Sequence, residues 1–177
     1  MKWKMMNRLW CICLVCVTLH ACGQTEPKPL QPAAHKAKNP YYSRTDTRKV
    51  NLSDAEWKKI LSPELYDVSR RAATERAFTG KYWDSDAKGT YYCAACGNKL
   101  FESTAKFASQ CGWPSFFQQD NPKSTYEKPD LSLGMKRIEV LCARCDGHLG
   151  HIFDDGPPPT GKRYCMNSVA LDFEPRK

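Results

Sequence analysis

The chain has 177 residues, 41% of them hydrophobic, which leaves room for one folded domain and some unstructured sequence. The net charge is +8, but Lys2, Lys4 and Arg8 lie at the extreme N-terminus, and six further basic residues precede residue 50. This distribution gives little support for a nucleic-acid-binding surface, so no nucleic-acid partner is expected. A basic stretch beside a membrane anchor suits an anionic lipid surface, although a solvated tether with spare lysines is the simpler explanation.

The first 21 residues have the features of a secretory signal peptide. A basic start precedes a mostly apolar run at residues 9–19, and small Ala21 follows. The run is shorter than the roughly 20 residues that a membrane-spanning helix needs, so an uncleaved helix is the weaker interpretation. Cleavage before Cys22 resembles bacterial lipoprotein processing, in which that cysteine is lipidated, although His20 departs from the small or apolar residue usual there. A plain secreted protein is the alternative.

The residues after Cys22 predict an anchored and flexible N-terminal region. The residue that follows Cys22 is not Asp, which resembles the sorting pattern of outer-membrane lipoproteins facing the periplasm. Residues 22–49 contain four prolines, few large apolar residues and no periodicity. Such a segment cannot bury enough surface to offset ordering, so it is predicted to be a disordered tether. The folded domain is predicted to span residues 50–177.

Two short helices are predicted at the start of the domain, followed by short strands. Ser53 and Glu56 form a capping box before the first helix, and Ser62 and Pro63 begin the second. From residue 82 the pattern changes to strands broken by Gly and Pro clusters, predicted at residues 90–92, 99–101, 136–141 and 164–171. Residues 120–134 are polar and contain a proline, and are predicted to form a surface loop.

Residues 147–168 are the strongest candidate for a functional site. If residues 163–168 form a strand, the period of two places three polar side chains on one face: Arg163, Cys165 and Asn167. The side chains between them are aromatic or apolar and suit core packing. Both histidines of the predicted domain, His148 and His151, lie a short distance upstream. A cation, a thiol, an amide and two imidazoles therefore fall in one short segment.

Six of the ten cysteines fall in the predicted domain: Cys93, Cys96, Cys111, Cys142, Cys145 and Cys165. Three disulfides are one interpretation for an exported protein. The spacing favours a metal site instead, because two C-x-x-C turns, each with a Gly soon after its second thiol, supply four thiolates for tetrahedral Zn²⁺. These ligands are Cys93, Cys96, Cys142 and Cys145. A redox C-x-x-C is less well supported, because two copies are present and neither opens a helix of a βαβ unit.

Cys111 and Cys165 then remain, and two interpretations of them stay open. A single structural disulfide without chemistry would account for both thiols. Alternatively Cys165, flanked on its strand face by Arg163 and Asn167, has surroundings that favour a reactive thiolate.

Several separate motifs together resemble the B-type peptide methionine sulfoxide reductases, which are specific for the R epimer. Residues 111–116 read Cys-Gly-Trp-Pro-Ser-Phe and residues 147–153 read Gly-His-Leu-Gly-His-Ile-Phe. The other motifs are residues 155–157, 159–161, 163–165 and 167–168 and both C-x-x-C pairs. The similarity covers about residues 50–173. It implies an all-β, β-tent-like domain of two antiparallel sheets with short N-terminal helices, one structural Zn²⁺ away from the active site, and no redox metal.

The resemblance also implies roles for individual residues. Cys165 matches the nucleophile that attacks the sulfoxide sulfur and becomes a sulfenic acid, and Cys111 matches the resolving cysteine that then closes a disulfide. Three residues match the polar side of the substrate pocket: His148, His151 and Asn167. A histidine titrates in the right range to protonate the departing oxygen. Trp113 matches an aromatic residue that contacts the substrate methyl, with a core tryptophan as the alternative. The assignment of Arg163 as the cation that favours the thiolate is our own.

The resemblance implies protein substrates that contain methionine-R-sulfoxide and a thioredoxin-like reductant, which the predicted export places outside the cytosol. A monomer is expected. Two rival functions remain: a zinc-ribbon binding module that uses Trp113 as an anchor, and a thiol oxidoreductase that acts on protein disulfides through Cys111 and Cys165. The first should tolerate Cys165→Ser, and the second should reduce insulin disulfides without preferring oxidised methionine.

Overall fold

The computed structural model describes residues 39–176. The predicted signal peptide, Cys22 and the first part of the predicted tether lie outside those residues. The described chain contains helices α1 Asp54–Ile60 and α2 Pro63–Arg71, and strands β1 Gly89–Cys93, β2 Lys99–Glu102, β3 Lys106–Phe107, β4 Ser115–Phe116, β5 Thr125–Asp130, β6 Arg137–Cys142, β7 His148–Phe153, β8 Arg163–Met166 and β9 Leu171–Pro175. Neither helix of this part is long and apolar enough to cross a membrane.

The strands form two antiparallel sheets, which confirms the predicted fold class. The smaller sheet has the order β2-β1-β9 and the larger has the order β3-β4-β8-β7-β6-β5. Aromatic rings from both sheets meet in the core. Phe101 of β2 stacks on Phe116 of β4 with ring centroids 4.3 Å apart, and Tyr91 of β1 meets the same Phe116 edge to face at 5.0 Å. This cluster joins the two sheets, since such ring pairs are favourable beyond the area they bury.

Both helices begin at the predicted residues. The side chain of Ser53 accepts a hydrogen bond from the Glu56 backbone N–H, and the Glu56 carboxylate accepts one from the Ser53 backbone, which completes the capping box. Ser62 caps α2 through the Leu65 N–H. Leu65 and Val68 lie one turn apart and are both buried, so α2 packs this face against β7 and the turn before β9.

The prediction of a surface loop at residues 120–134 is wrong for residues 125–130. These form β5, which pairs with β6 along its whole length, from Thr125 opposite Cys142 to Asp130 opposite Arg137. β5 lies at the edge of the sheet, where a proline such as Pro129 is tolerated because no neighbour needs its missing N–H. Four consecutive residues of β5 are exposed, so the strand lacks the apolar alternation that would have identified it.

The strand predicted at residues 164–171 is two strands with a 3₁₀ turn, Ser168–Ala170, between them. The chain leaves the larger sheet after Met166 and enters the smaller one as β9. Burial in β8 alternates as predicted, with Tyr164 and Met166 buried and Cys165 half-buried. Asn167 lies just beyond β8, so its environment is set by the turn.

Sequence analysis did not predict β7. Its first five residues are all buried, so the strand shows no alternation of apolar and polar positions. Gly150 lies in its middle, where a Cβ atom would come 2.1 Å from the backbone oxygen of Cys165. The close approach of β7 to β8 at Cys165 therefore requires glycine.

Residues 39–50, here called the N-terminal clasp, pack against the domain, so the boundary predicted at residue 50 is too late. The Asn39 side chain donates to the Ala95 carbonyl at 2.8 Å, and the Ser43 N–H donates to the Cys96 carbonyl at 2.9 Å. Tyr42 donates through its hydroxyl to Asp172 of β9. These contacts are polar and lack periodicity, which explains why composition did not reveal them.

Arg144, inside the second C-x-x-C turn, holds the clasp in place. Its guanidinium is buried and donates to the carbonyls of Tyr41, Ser43 and Cys96 and, through Nε, to that of Arg48 at 3.1 Å. One buried side chain thereby donates to four backbone carbonyls. The clasp is thus attached to both C-x-x-C turns.

Candidate active site and metal site

The four predicted metal ligands come together between the two sheets. Their Sγ atoms all lie within 4.8 Å of one another, and all four side chains are buried. The Sγ atoms of Cys93 and Cys145 are 3.7 Å apart, as are those of Cys96 and Cys142. Sulfurs about 2.3 Å from a tetrahedral Zn²⁺ would be separated by about 3.8 Å. The cluster therefore has the spacing that a tetrahedral metal ion needs.

The two C-x-x-C turns have the same backbone structure. In the first, Cys93 accepts at its carbonyl from Gly97 N–H and donates from its N–H to Asn98, both at 2.8 Å. In the second, Cys142 makes the equivalent bonds with Asp146 and Gly147, both at 2.9 Å. The fifth residue of each turn has positive φ, 82° at Gly97 and 56° at Asp146.

The electrostatics of the cluster favour a bound cation. The hydrogen bond to Cys142 is the largest factor that raises the pKa values of the other three thiols. A second thiolate beside the first would be repelled in this buried site, so all four lose their protons only when a cation compensates. The residues present can hold a metal ion.

Cys111 meets Cys165 at β8, an interior strand of the larger sheet. Their Sγ atoms are 3.6 Å apart, although the residues are 54 positions apart in sequence. Register explains the meeting: Cys165 of β8 lies opposite Ser115 of β4 on one side and opposite His151 of β7 on the other. The loop before β4 then carries Cys111 back to Cys165. Within residues 39–176 all six cysteines are free thiols, so three disulfides are not formed.

Cys165 opens onto a small cavity of about 100 Å³. Its walls are formed by Thr74, Trp113, Arg137, Gly150, His151, Phe153, Cys165, Met166 and Asn167. The structure thus brings together four of the predicted site residues, namely the nucleophile, Trp113, His151 and Asn167. His148 and Arg163 do not line this cavity.

The two thiols have opposite electrostatic environments. Burial raises the pKa of Cys111, but hydrogen bonds with Ser109, Ser115, the Trp113 backbone and Cys165 together outweigh it and lower that pKa to about 7. Burial raises the pKa of Cys165 to about 12, with Cys111 acting in the same direction. The first proton to leave the pair therefore leaves Cys111.

Arg163 acts on Cys165 in the expected direction but does not dominate. Its guanidinium lowers the pKa of Cys165, and this contribution is smaller than those of burial and of Cys111. Two hydrogen bonds of 2.8 Å join Arg163 to Asp155, which neutralises part of its charge. Cys111 therefore affects the pKa of Cys165 more than Arg163 does.

The comparisons with known proteins agree with this geometry. The SelR domain family model matches residues 61–175. The peptide methionine sulfoxide reductase MsrB of Thiobacillus denitrificans is 56% identical over 124 residues, which are 70% of this chain and 94% of the relative. MsrB of Herminiimonas arsenicoxydans is 56% identical over 128 residues, 72% and 93% of the two chains, and MsrB of Pseudomonas putida 54% over 129 residues, 73% and 97%.

The chain belongs to the MsrB family of peptide methionine sulfoxide reductases. It is therefore an enzyme that reduces methionine sulfoxide, and a mere binding module or a general disulfide reductase is not its primary function. The match to the SelR family model begins at residue 61, after the N-terminal clasp.

Both histidines of this MsrB domain are backed by carboxylates that sequence analysis did not single out. His151 Nε2 lies 2.8 Å from Asp130 Oδ2, which also accepts from Arg137 at 2.7 Å. His148 Nδ1 lies 2.7 Å from Glu139 Oε1. One clue was available: Arg137 and Glu139 are two positions apart in a predicted strand, so they share a face. The contact of Asp130 depends on pairing with the unpredicted β5.

His148 lies behind His151, with ring centroids 5.3 Å apart. Burial lowers its pKa, an effect that Glu139 opposes without cancelling, so His148 is neutral at pH 7. It is almost fully buried, and its Nε2 has no hydrogen-bond partner in the structure. His148 therefore supports His151, which faces the MsrB cavity.

Glu75 organises the other side of the cavity and was also missed. Its carbonyl accepts from Trp113 Nε1 at 3.1 Å, and its N–H donates to Asn167 Oδ1 at 3.0 Å. Its carboxylate accepts from the N–H groups of Ser168 and Val169. The Asn167 amide also donates to the Leu149 carbonyl, so it joins the Glu75 segment to β7. Both predicted wall residues are thus fixed in orientation by one glutamate.

Proposed function

We propose that this enzyme reduces the R epimer of methionine sulfoxide in exported proteins, with Cys165 as nucleophile and Cys111 as resolving cysteine. The observation that carries the proposal is the 3.6 Å contact between the two Sγ atoms at the wall of the cavity. A sulfenic acid formed on either thiol has a partner thiol within reach without a rearrangement of the strands.

The proposed reaction begins at the thiol pair. The proton of Cys165 passes to Cys111, and the Cys165 thiolate attacks the sulfoxide sulfur. The sulfoxide oxygen takes up a proton, for which His151 is the wall residue with a ring nitrogen that can donate, and methionine departs as Cys165 becomes a sulfenic acid. The hydrogen bonds of Asp130 hold the His151 ring in place. Trp113 supplies the apolar surface that the substrate methyl needs.

The second half of the reaction uses the low pKa of Cys111. Cys111 gives up the proton that it took from Cys165, its sulfur attacks the Cys165 sulfenic acid, a disulfide forms, and the hydroxyl leaves as water with that proton. An external dithiol then reduces this disulfide to two thiols and is itself oxidised. We propose a thioredoxin-like protein outside the cytosol as that dithiol. The hydrogen bonds from Ser109 and Ser115 support this assignment, because they stabilise a thiolate at the resolving position.

The four-cysteine cluster is proposed to hold one structural Zn²⁺ per chain. Four thiolates at tetrahedral spacing are the donor set that zinc takes in closed structural sites. The cluster offers no open ligand position for substrate, so its expected contribution is to stability. A monomer is proposed.

Residues 1–22 support the proposal that the enzyme is exported and anchored to the periplasmic side of the outer membrane through a lipid on Cys22. Growth with a labelled fatty acid should label the protein, and Cys22→Ser should remove the label. A labelled Cys22→Ser protein would contradict lipidation at that position.

Separate assays with the R and S epimers of a peptide methionine sulfoxide test the proposed function. With dithiothreitol as reductant, the enzyme is expected to turn over the R epimer at least about a hundredfold faster, because His151 and Trp113 are fixed on particular sides of Cys165 and only one epimer places oxygen and methyl correctly. Methionine formation measured by chromatography gives both rates. Equal rates for the two epimers would contradict the proposal.

A further inference from the structure

The turn between β5 and β6, residues 131–135, exposes large apolar side chains. Leu131 is 71% exposed, Leu133 is 84% exposed and Met135 is 41% exposed. We call these three side chains the apolar tip. Such a contiguous group contributes little to folding, and exposed apolar groups of this kind mark interaction surfaces.

The backbone of the apolar tip is also unfavourable for its sequence. Leu133 has φ 53° and ψ 25°, a left-handed conformation in which leucine is uncommon. The next residue, Gly134, also has positive φ, and a Cβ atom there would meet nothing within 4 Å. Neither burial nor local conformation therefore explains a leucine at position 133, and unfavourable conformations of this kind concentrate at functional positions.

The apolar tip is continuous with the catalytic cavity. Asp130 and Arg137 flank it and face each other across the hairpin, where a 2.7 Å hydrogen bond joins them. Arg137 forms part of the cavity wall, and Asp130 binds His151 of that wall at 2.8 Å. A substrate that reaches Cys165 therefore lies beside the base of this turn.

The cavity is too small for more than the reacting side chain. Its volume of about 100 Å³ accommodates little beyond the sulfoxide end of an oxidised methionine. In a peptide substrate, the residues on either side of that methionine must consequently lie on the rim. The apolar tip is the part of the rim that offers several large exposed apolar side chains.

We propose that the apolar tip docks apolar side chains that flank the oxidised methionine in a peptide segment. This inference rests on the proposed function and adds a preference among substrates: methionine sulfoxide with large hydrophobic neighbours in sequence. Burying such neighbours against Leu131 and Leu133 removes apolar surface of both partners from water.

The test compares two peptides that contain methionine-R-sulfoxide, one flanked by leucines and one by serines. The variants are Leu131→Ser combined with Leu133→Asn, and Leu133→Asn alone, because asparagine tolerates the left-handed conformation and should fold at least as well as leucine. Tyr126→Ser is the control, since Tyr126 is a 40% exposed aromatic on the same hairpin at its opposite end, across from Leu141. Steady-state kinetics with dithiothreitol give KM and kcat for each combination of enzyme and peptide.

The double variant is expected to raise KM for the leucine-flanked peptide about tenfold, and Leu133→Asn alone should raise it less. Tyr126→Ser should keep the wild-type preference for the leucine-flanked peptide. Binding of the same peptides to Cys165→Ser enzyme, measured by fluorescence anisotropy, should show the same difference without turnover.

If the double variant weakens the binding of both peptides equally, or of neither, docking is overturned while the proposed function stands. If it impairs recycling by a thioredoxin-fold donor but leaves the peptide KM unchanged, the surface belongs to the reductant and the proposal also fails. Wild-type enzyme that turns over neither peptide overturns both proposals.

Discussion

Replacing Cys165 with serine is expected to reduce turnover at least about a thousandfold with every reductant, because a serine hydroxyl at this half-buried position does not supply the thiolate that attacks the sulfoxide sulfur. Cys111→Ser should behave differently. It should retain turnover with dithiothreitol, which reaches the sulfenic acid directly, and lose at least about a hundredfold with a thioredoxin-fold donor, which needs the disulfide. Methionine formation with each reductant distinguishes the two variants.

The same pair of variants has a pH-dependent signature. Cys111 is among the factors that raise the pKa of Cys165 to about 12, so Cys111→Ser should lower the pKa of Cys165. Alkylation of Cys165 by iodoacetamide should then begin at lower pH than in the wild-type enzyme, whose first alkylation, near pH 7, should occur at Cys111. Peptide mapping identifies the alkylated thiol. The assigned roles would be contradicted if both variants kept their turnover with the thioredoxin-fold donor. They would also be contradicted if Cys111→Ser left the pH dependence of alkylation unchanged.

The second large effect is expected at the metal site. Cys93→Ser removes one of four ligands and leaves a buried hydroxyl among thiols, so the ion and its contribution to folding should be lost together. Structural zinc contributes about 10 kcal/mol or more, which is comparable with the whole stability of a typical domain, so the variant should be largely unfolded at 25 °C. Metal analysis of the wild-type enzyme and circular dichroism of the variant measure the two parts.

Cys111→Ser is the matched control for the metal prediction. It also removes a thiol from the domain, but one that is half-buried and outside the cluster. Its melting temperature should stay within a few degrees of the wild-type value, since changes outside the core and metal site have small effects. A metal-free wild-type enzyme, together with an unchanged melting temperature in Cys93→Ser, would overturn the proposal of a structural metal.

Local sequence signals were sufficient for the elements that begin or end with a distinctive residue. The helix starts were predicted from Ser53 and Ser62, and the metal cluster from the two C-x-x-C turns, because capping and ligation depend on fixed short spacings. β7 and β5 gave no such signal. The first is buried on both faces and the second is an exposed edge, so neither alternates.

The active site could be predicted only in part for a related reason. The motifs identified Cys165, Cys111, Trp113 and His151, but the contacts between them depend on strand pairing. Asp130 reaches His151 only because β5, β6 and β7 are neighbours in one register. Periodicity in one segment does not contain that information. The reacting groups could therefore be predicted from the sequence, whereas the carboxylates that hold the two histidines could not.

The N-terminal clasp would have a mechanical consequence under the proposed lipid anchoring at Cys22. Tension on the upstream chain would enter the domain at Asn39 and pass to the first C-x-x-C turn through Ala95 and Cys96. A metal bound by both turns would link β1 of the smaller sheet to β6 of the larger one, so the load would be shared between the sheets. Under the proposed anchoring, a pull on the chain would therefore be carried first by the clasp and the metal site, which precede β7 and β8 in the chain.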